Sequence, residues 1–303
     1  MKKRFKLIII LGPTAVGKTD LAIRLAKYLH CDIISADSRQ FYREMEIGTA
    51  KPSSEDLDRI KHHLINHISI KDYYSAGRFE KEVINLIDIL SCKTRNAILV
   101  GGSGLYIDAV CKGIDEIPGP NVKLRANLEE LLKLKGLEHL TAELKILDFE
   151  TWTSIDLKNP KRVIRALEVI YQTGNKFSSI KNAGTKKRNF ENLKIGLELD
   201  RHILYERINN RADQMLNLGL LEEVKALLPY KNLTALQTVG YQEFFDYLDN
   251  KYDLNEAIRL FKRNSRRYAK RQMTWFKRDQ EIHWFHPDAY QEITSLIDKF
   301  LIL

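Results

Sequence analysis

The chain has 303 residues, 44% hydrophobic and 29% charged, a balance that excludes a disordered chain and supports a globular core. No run approaches the roughly 20 consecutive apolar residues that cross a bilayer, so no membrane partner is expected. The formal net charge of +9 and pI near 9.2 fit a polyanionic partner, because nine Lys or Arg and no Asp or Glu fall between positions 259 and 278.

Met1-Lys2-Lys3-Arg4 and the apolar run 5–11 superficially resemble a secretion signal. The run is short, contains Lys6 and flows into a glycine loop, so it reads as a buried first strand of a cytoplasmic protein. Residues 18–29 carry helical spacing, with Leu21, Ala22, Leu25, Ala26 and Leu29 on one face. A second strand spans 32–35 and leads to Asp37; a helix follows at 76–90, and a strand at 97–100 closes on Gly101-Gly102-Ser103-Gly104. Strands alternating with helices imply right-handed crossovers and a parallel sheet. After a break at Ile117-Pro118-Gly119-Pro120, helical periods occupy 124–134, 137–147 and 160–171, and the polar, basic stretch 174–189 reads as an exposed linker. Strand pattern returns at 193–199, long helices at 203–228 and 255–275, and a last edge strand at 282–285. The expectation is one α/β core, 1–113 and 191–303, with a helical insertion at 114–190. Cys31, Cys92 and Cys111 are far apart and read as buried thiols, not disulfides or a zinc site.

Gly12-Pro13-Thr14-Ala15-Val16-Gly17-Lys18-Thr19 matches the phosphate-binding loop G-x-x-x-x-G-K-[ST] between a strand and a helix. Glycines let the backbone wrap an anion, the helix N-terminus faces it, Lys18 adds a full charge and the Thr19 hydroxyl suits magnesium. Such a nucleotide-binding, ATP-binding-like signature says phosphate, not hydrolysis. The strand 97–100 ends in glycines where an NTPase usually places an acid, although Asp37 is available for the metal. Strand ends converge on the ligand crevice of an open parallel sheet, so Asp37 is expected near the loop. Holding a ribose hydroxyl, assisting magnesium and acting as a general base all fit its position.

The phosphate loop, Asp37-Ser38-Arg39-Gln40, Ile47-Gly48-Thr49-Ala50-Lys51-Pro52, His62-His63-Leu64-Ile65 and Tyr74-Ser75-Ala76 resemble the tRNA dimethylallyltransferase family. So do Leu99-Val100-Gly101-Gly102-Ser103-Gly104-Leu105-Tyr106, Arg162-Val163-Ile164-Arg165-Ala166-Leu167-Glu168, Gln237-Thr238-Val239-Gly240-Tyr241, and Arg267-Tyr268-Ala269-Lys270-Arg271-Gln272 with Thr274-Trp275. The resemblance runs in order across nearly the whole chain. It implies a P-loop NTPase-like α/β core with a parallel sheet flanked by helices, plus a helical insertion that contacts tRNA. It also implies transfer of a dimethylallyl group from dimethylallyl diphosphate to N6 of the adenine at position 37, in the tRNA anticodon loop, with Mg2+. By resemblance Asp37 is the general base, Gly17, Lys18 and Thr19 hold the diphosphate with magnesium on Thr19, and Arg211 is a further clamp. Ser38, Arg39, Gln40, Ser103, Arg125, Lys161, Arg162 and Arg165 match tRNA-contacting positions.

On helical spacing, Arg259, Arg263, Arg266 and Lys270 share one broad face with Arg267 and Arg271 beside them, suited to RNA phosphates. Tyr268, Trp275 and Phe276 are interleaved, as stacking platforms or as core. His63 and His67 are four apart but lack a third ligand of matching spacing, so packing beside the crevice is expected, not a metal centre. The chain departs from the family pattern at Asn66, where Asp is usual, and at Asp156-Leu157-Lys158-Asn159-Pro160. A C-terminal zinc finger like that of eukaryotic members is not expected, consistent with a compact bacterial-type enzyme; separately, nothing in the sequence demands more than a monomer. A small-molecule P-loop kinase explains the loop and Asp37 but not the basic segment. An adenine-nucleotide isopentenyltransferase would not need the insertion, and a noncatalytic RNA-binding protein would need neither the loop nor Asp37.

Overall fold

A computed structural model describes residues 4–115, 117–180 and 186–302. The signal-like start 1–3 and part of the expected linker, 181–185, lie outside the described residues. The elements are β1 (Phe5–Leu11), α1 (Lys18–Leu29), β2 (Ile33–Ser35), α2 (Ser54–Arg59), β3 (His62–His63), α3 (Ala76–Ser91), β4 (Asn96–Gly101) and α4 (Gly104–Lys112). Then come α5 (Val122–Leu147), α6 (Phe149–Ser154), α7 (Pro160–Thr173), α8 (Phe177–Ile180), β5 (Phe190–Leu197), α9 (Arg201–Asn217), α10 (Leu220–Leu227), α11 (Gln242–Leu248), α12 (Leu254–Phe276), β6 (Ile282–Phe285) and α13 (Tyr290–Ile302).

Two compact units result: Met1–Cys111 with Arg188–Leu303, and Lys112–Lys187. The first is built on a six-stranded sheet of order β3-β2-β4-β1-β5-β6 in which every pair is parallel. All of β1 is buried because both sheet faces are covered, as helical crossovers require. Leu7, Ile9 and Leu11 face a core with Phe79 and Val83 of α3, Met215 of α9 and Phe261 of α12. Ile8 and Ile10 face the opposite core with Leu21 and Leu25 of α1 and Ile293 and Ile297 of α13. Lys6 is buried within this strand and is matched by Glu191 at 2.5 Å.

The expected helix 203–228 is two helices, α9 and α10. Gly219 adopts φ 98, which carries the chain out of α9 and redirects it into α10. In the second unit α5 is kinked at Gly136, whose φ of 79 and ψ of 173 are not helical, so the two expected periods 124–134 and 137–147 meet there at an angle. Leu140 and Leu144 of α5 pack on Val163 and Leu167 of α7 to make this unit's own core.

Candidate active site

The phosphate loop leaves the end of β1 and enters α1. Gly12 has φ 146, and a side chain there would press its Cβ to 2.6 Å from the Leu197 carbonyl oxygen of β5. Gly17 has φ 104 and caps α1 without a side chain, so the first amides of the helix are left for an anion. The Lys18 ammonium folds back to donate to the Pro13 carbonyl at 2.6 Å. Burial, with like-charge repulsion from Arg211 and against the pull of Asp37, lowers the Lys18 pKa to about 7.

Two cavities of about 150 and 80 Å³ meet at this loop. Thr14, Asp37, Thr49, Arg211 and Tyr268 line both. The smaller is walled by Lys18, Thr19, Gly101 and Gly102, a polar, glycine-rich surface suited to phosphate oxygens. The larger carries an apolar wall of Ile208, Ala212, Met215, Val239 and Phe261. Phosphate-binding groups and an apolar lining therefore converge on one carboxylate.

Asp37 stands two residues beyond the end of β2, and its Oδ1 accepts from the backbone N–H groups of Arg39 at 2.9 Å and Gln40 at 3.4 Å. That turn fixes the carboxylate, and Oδ2 has no protein hydrogen bond among the described residues. Arg211, on α9, donates from Nη2 to the Thr14 hydroxyl. Burial works against its charge, while Asp37 supports it. Burial and the nearby Asp37 carboxylate raise the Tyr268 phenol to about 12.

The other residues singled out in the sequence fall into two kinds of surroundings. Ser38 and Arg39 line the larger cavity, and Arg39 also donates to the Thr234 carbonyl at 3.3 Å. Gln40 faces inward, accepting from Ser35 at 3.0 Å and donating to the Ala50 carbonyl at 3.2 Å. Ser103 is buried and accepts from the Ser38 N–H at 2.9 Å, bracing the Asp37 turn from behind. Pro13, Ala15 and Val16 form the loop itself, with Val16 fully buried and Ala15 at φ 64. In the insertion, Arg125 and Arg165 both pair with fully buried Glu168, at 2.6 and 2.8 Å. Lys161 and Arg162 are exposed in the first turn of α7.

On α12, Arg266 donates to Asn209 at 2.6 Å and Arg263 to Asn264 at 3.3 Å. Arg267, Lys270 and Arg271 are exposed and have no carboxylate partner among the described residues. Phe276 is buried, whereas Trp275 is partly exposed and donates to Asp108 at 2.9 Å. The histidines have separate partners: His62 lies 2.7 Å from the Ile60 carbonyl, His63 2.8 Å from Asp32 and His67 3.3 Å from Glu82. Asn66 occupies a left-handed turn at φ 55, a conformation its short amide tolerates.

Sequence reasoning left Tyr268 open between a stacking platform and core, and it gave Gln272, Glu223 and Tyr241 no individual role in the site. Gln272 accepts from the Thr14 N–H at 2.8 Å, and Glu223 anchors the wall segment 46–48 through its backbone amides. Nothing in their local spacing distinguishes them from ordinary helix or turn residues.

Residues 40–279 match the model of the family described as IPP transferase. That stretch begins after the phosphate loop, whereas the relatives below cover 96–98% of this chain. The chain is 50% identical over 291 residues to tRNA dimethylallyltransferase 1 of Bacteroides fragilis, covering 96% of this chain and 97% of the relative. It is 48% identical to tRNA dimethylallyltransferase of Cytophaga hutchinsonii, covering 97% of each. Among solved structures it resembles the tRNA isopentenylpyrophosphate transferase of Bacillus halodurans, with TM-score 0.71, 38% identity, and coverage of 98% of this chain and 95% of that one. It also resembles a eukaryotic dimethylallyltransferase acting on tRNA, with TM-score 0.83, 28% identity, and coverage of 98% and 79%. The chain belongs to the tRNA dimethylallyltransferase family, the IPP transferases.

Proposed function

We propose that this prenyltransferase moves a dimethylallyl group from dimethylallyl diphosphate to N6 of the adenine at position 37, in the anticodon loop of tRNA, releasing diphosphate. The observation that carries the reading is the meeting, at Asp37, of a cavity walled by Lys18, Thr19 and glycines with one that has an apolar wall. In this reading the α1 N-terminus, Lys18 and Arg211 take the diphosphate, and the apolar wall receives the prenyl tail.

The exocyclic amine of adenine is a weak nucleophile because its lone pair is delocalised into the ring. As the N6–C1 bond forms and the C1–O bond breaks, the electron pair leaves with diphosphate and the amine must lose a proton. Asp37, held by the Arg39 and Gln40 amides through Oδ1, takes that proton. Lys18 and Arg211 stabilise the growing charge on the leaving oxygens. An adenine inside a loop leaves its stack before N6 reaches such a pocket. Ser38 and Arg39, on the lining beside Asp37, are placed to meet it or its neighbours.

The donor set suits Mg2+: Thr19 and Asp37 both line the smaller cavity, and a hydroxyl and a carboxylate offer hard oxygens of the kind that magnesium accepts beside substrate phosphates. Thr19 would hold the ion against the diphosphate, where it would neutralise charge on the leaving group. For the tRNA phosphates, Lys161 and Arg162 of the insertion and Arg267, Lys270 and Arg271 of α12 supply cations. Two cations in the first turn of α7 oppose the helix dipole, so stability does not explain them.

The test is incubation with unmodified tRNA, magnesium and dimethylallyl diphosphate, followed by mass spectrometry of the digested nucleosides. A parallel arm offers AMP as the acceptor. Prenylated adenosine from tRNA alone is expected, and its absence sinks the reading. Asp37→Asn is expected to bind tRNA normally while turnover falls about 100-fold or more; an equal collapse of binding would refute the base assignment.

A further inference from the structure

Gln272 joins three parts of the first unit through one side-chain amide. It lies on α12 with 7% of its surface exposed, and its Oε1 accepts from the Thr14 N–H at 2.8 Å. Its Nε2 donates to the Gly102 carbonyl at 2.9 Å. Thr14 belongs to the phosphate loop, and Gly102 to the turn after β4 on the opposite wall of the same cavity. A side chain on Gly102 would collide with the Gln272 amide, so the fit leaves no slack. The Thr14 hydroxyl in turn accepts from Arg211. One amide therefore fixes the tip of the phosphate loop, the width of the cavity and the anchor of Arg211.

Only a group with one acceptor and one donor at this spacing meets both demands. An ionised carboxylate meets Thr14 but repels the Gly102 carbonyl, and an aliphatic side chain leaves the buried Gly102 carbonyl and the part-buried Thr14 N–H without this partner. The helix that carries Gln272 also exposes Arg267, Lys270 and Arg271 within about one and a half turns of it. The same rigid element thus bears the cations offered to RNA and the amide that shapes the phosphate site.

We propose that Gln272 is a positioning residue: it holds Thr14, and through Thr14 the Arg211 guanidinium, in register for the diphosphate, and it ties that site to the basic helix. This rests on the prenyl-transfer reading for its kinetic readouts. Binding of inorganic diphosphate tests the positioning whether or not transfer is observed.

The experiment compares Gln272→Glu and Gln272→Ala with the unmodified full chain. Inorganic diphosphate affinity is measured by calorimetry, turnover by steady-state kinetics with dimethylallyl diphosphate and tRNA, and tRNA affinity by filter binding. Both variants are expected to weaken diphosphate binding about tenfold near pH 8 and to lower kcat, with tRNA affinity changed less than about twofold. The decisive readout is pH. In Gln272→Glu a protonated carboxyl donates to Gly102 and accepts from Thr14, so its diphosphate affinity relative to the unmodified chain rises as pH falls towards about 6. Gln272→Ala shows no such recovery. The isosteric Glu variant keeps the test available if the Ala variant does not fold. A pH-independent Glu-to-wild-type ratio, or unchanged diphosphate affinity in a folded variant, overturns the proposal.

Discussion

The Tyr241 hydroxyl donates to the Glu223 carboxylate at 2.6 Å, and that carboxylate also accepts the backbone N–H groups of Glu46, Ile47 and Gly48 at 2.9, 2.7 and 3.0 Å. Four donors from two distant segments thus converge on one side chain of α10. Tyr241 is fully buried, and burial with the neighbouring Glu223 charge pushes its phenol far above the ordinary range, so it remains a donor at working pH. The clamped segment supplies Gly48 and Thr49 to the larger cavity and Thr49, Ala50 and Pro52 to the smaller. Glu223→Ala strands these donors and is expected to cost about 2–4 kcal/mol of stability. Turnover should fall as the wall loosens. Urea unfolding and tRNA prenylation check both; a loss below about 1 kcal/mol would show that water replaces the carboxylate without penalty.

Lys18 makes diphosphate binding proton-linked. Its pKa in the free protein is lowered to about 7, so above that pH the amine is mostly neutral. A bound diphosphate supplies the opposite charge that burial and Arg211 work against, and raises the value again. Binding above pH 7 therefore takes up a proton, and affinity falls as pH rises from the free towards the bound pKa. Below about pH 7 the ammonium is already charged and Lys18 contributes no uptake. Calorimetry at about pH 8 in two buffers of different ionisation enthalpy should show an uptake that Lys18→Met abolishes. Identical heats in both buffers would contradict the linkage.

How much of this was legible in the sequence follows from how local each signal is. The run of β1, the glycines of the phosphate loop and the strand leading to Asp37 are all read within a few residues, and the parallel sheet followed from their alternation with helices. The two helices expected at 124–134 and 137–147 fall on either side of Gly136, where α5 kinks. Gly219 was hidden because Leu216, Leu218, Leu220 and Leu221 keep the stretch apolar across the break. Arg211 reaches Thr14 across 197 positions and Gln272 reaches it across 258, so no window of sequence contains either bond. The resemblance to a family supplied Arg211 as a clamp. Gln272 and Glu223 bond mainly to backbone atoms, which carry no residue-type signature; Gln272 was legible as the end of a family motif, but the contacts of both became visible only in the fold. The basic helix was legible as a charge run. Which of its cations are already partnered, Arg259 by Glu256 and Lys262 by Asp213, was not.

Gly101→Ala tests the packing behind Asp37. A Cβ at position 101 would run into the backbone of Ala36, the residue before Asp37. Backbone on the adjoining strand cannot swing aside as a side chain can, so the cost is expected to exceed about 2 kcal/mol. Prenyl transfer should be lost more severely than tRNA binding, because Asp37 moves while the basic helix does not. A folded, fully active variant would show that β2 and β4 separate freely.

The cations of the insertion should divide into two classes. Arg125 and Arg165 converge on Glu168, which is 0% exposed and also accepts from the Asn121 N–H at 2.8 Å, while Arg165 donates to the Pro118 carbonyl at 2.5 Å. Removing Arg165 leaves a buried carboxylate short of one partner, with Arg125 still in place, so Arg165→Ala is expected to cost about 2–3 kcal/mol. Lys161 and Arg162 are exposed and have no carboxylate partner among the described residues. Their alanine variants should change stability by less than about 0.5 kcal/mol. Each should instead weaken tRNA binding and reduce the slope of log affinity against log salt by about 1 for every phosphate that the cation neutralises. Denaturant melts and filter binding across a salt series separate the classes. If Arg165→Ala leaves stability intact but lowers the salt slope, its primary partner is RNA. A double-mutant cycle with Glu168→Ala then gives a direct check, since a buried pair must show coupling in the unfolding free energy and a residue that serves RNA alone must not.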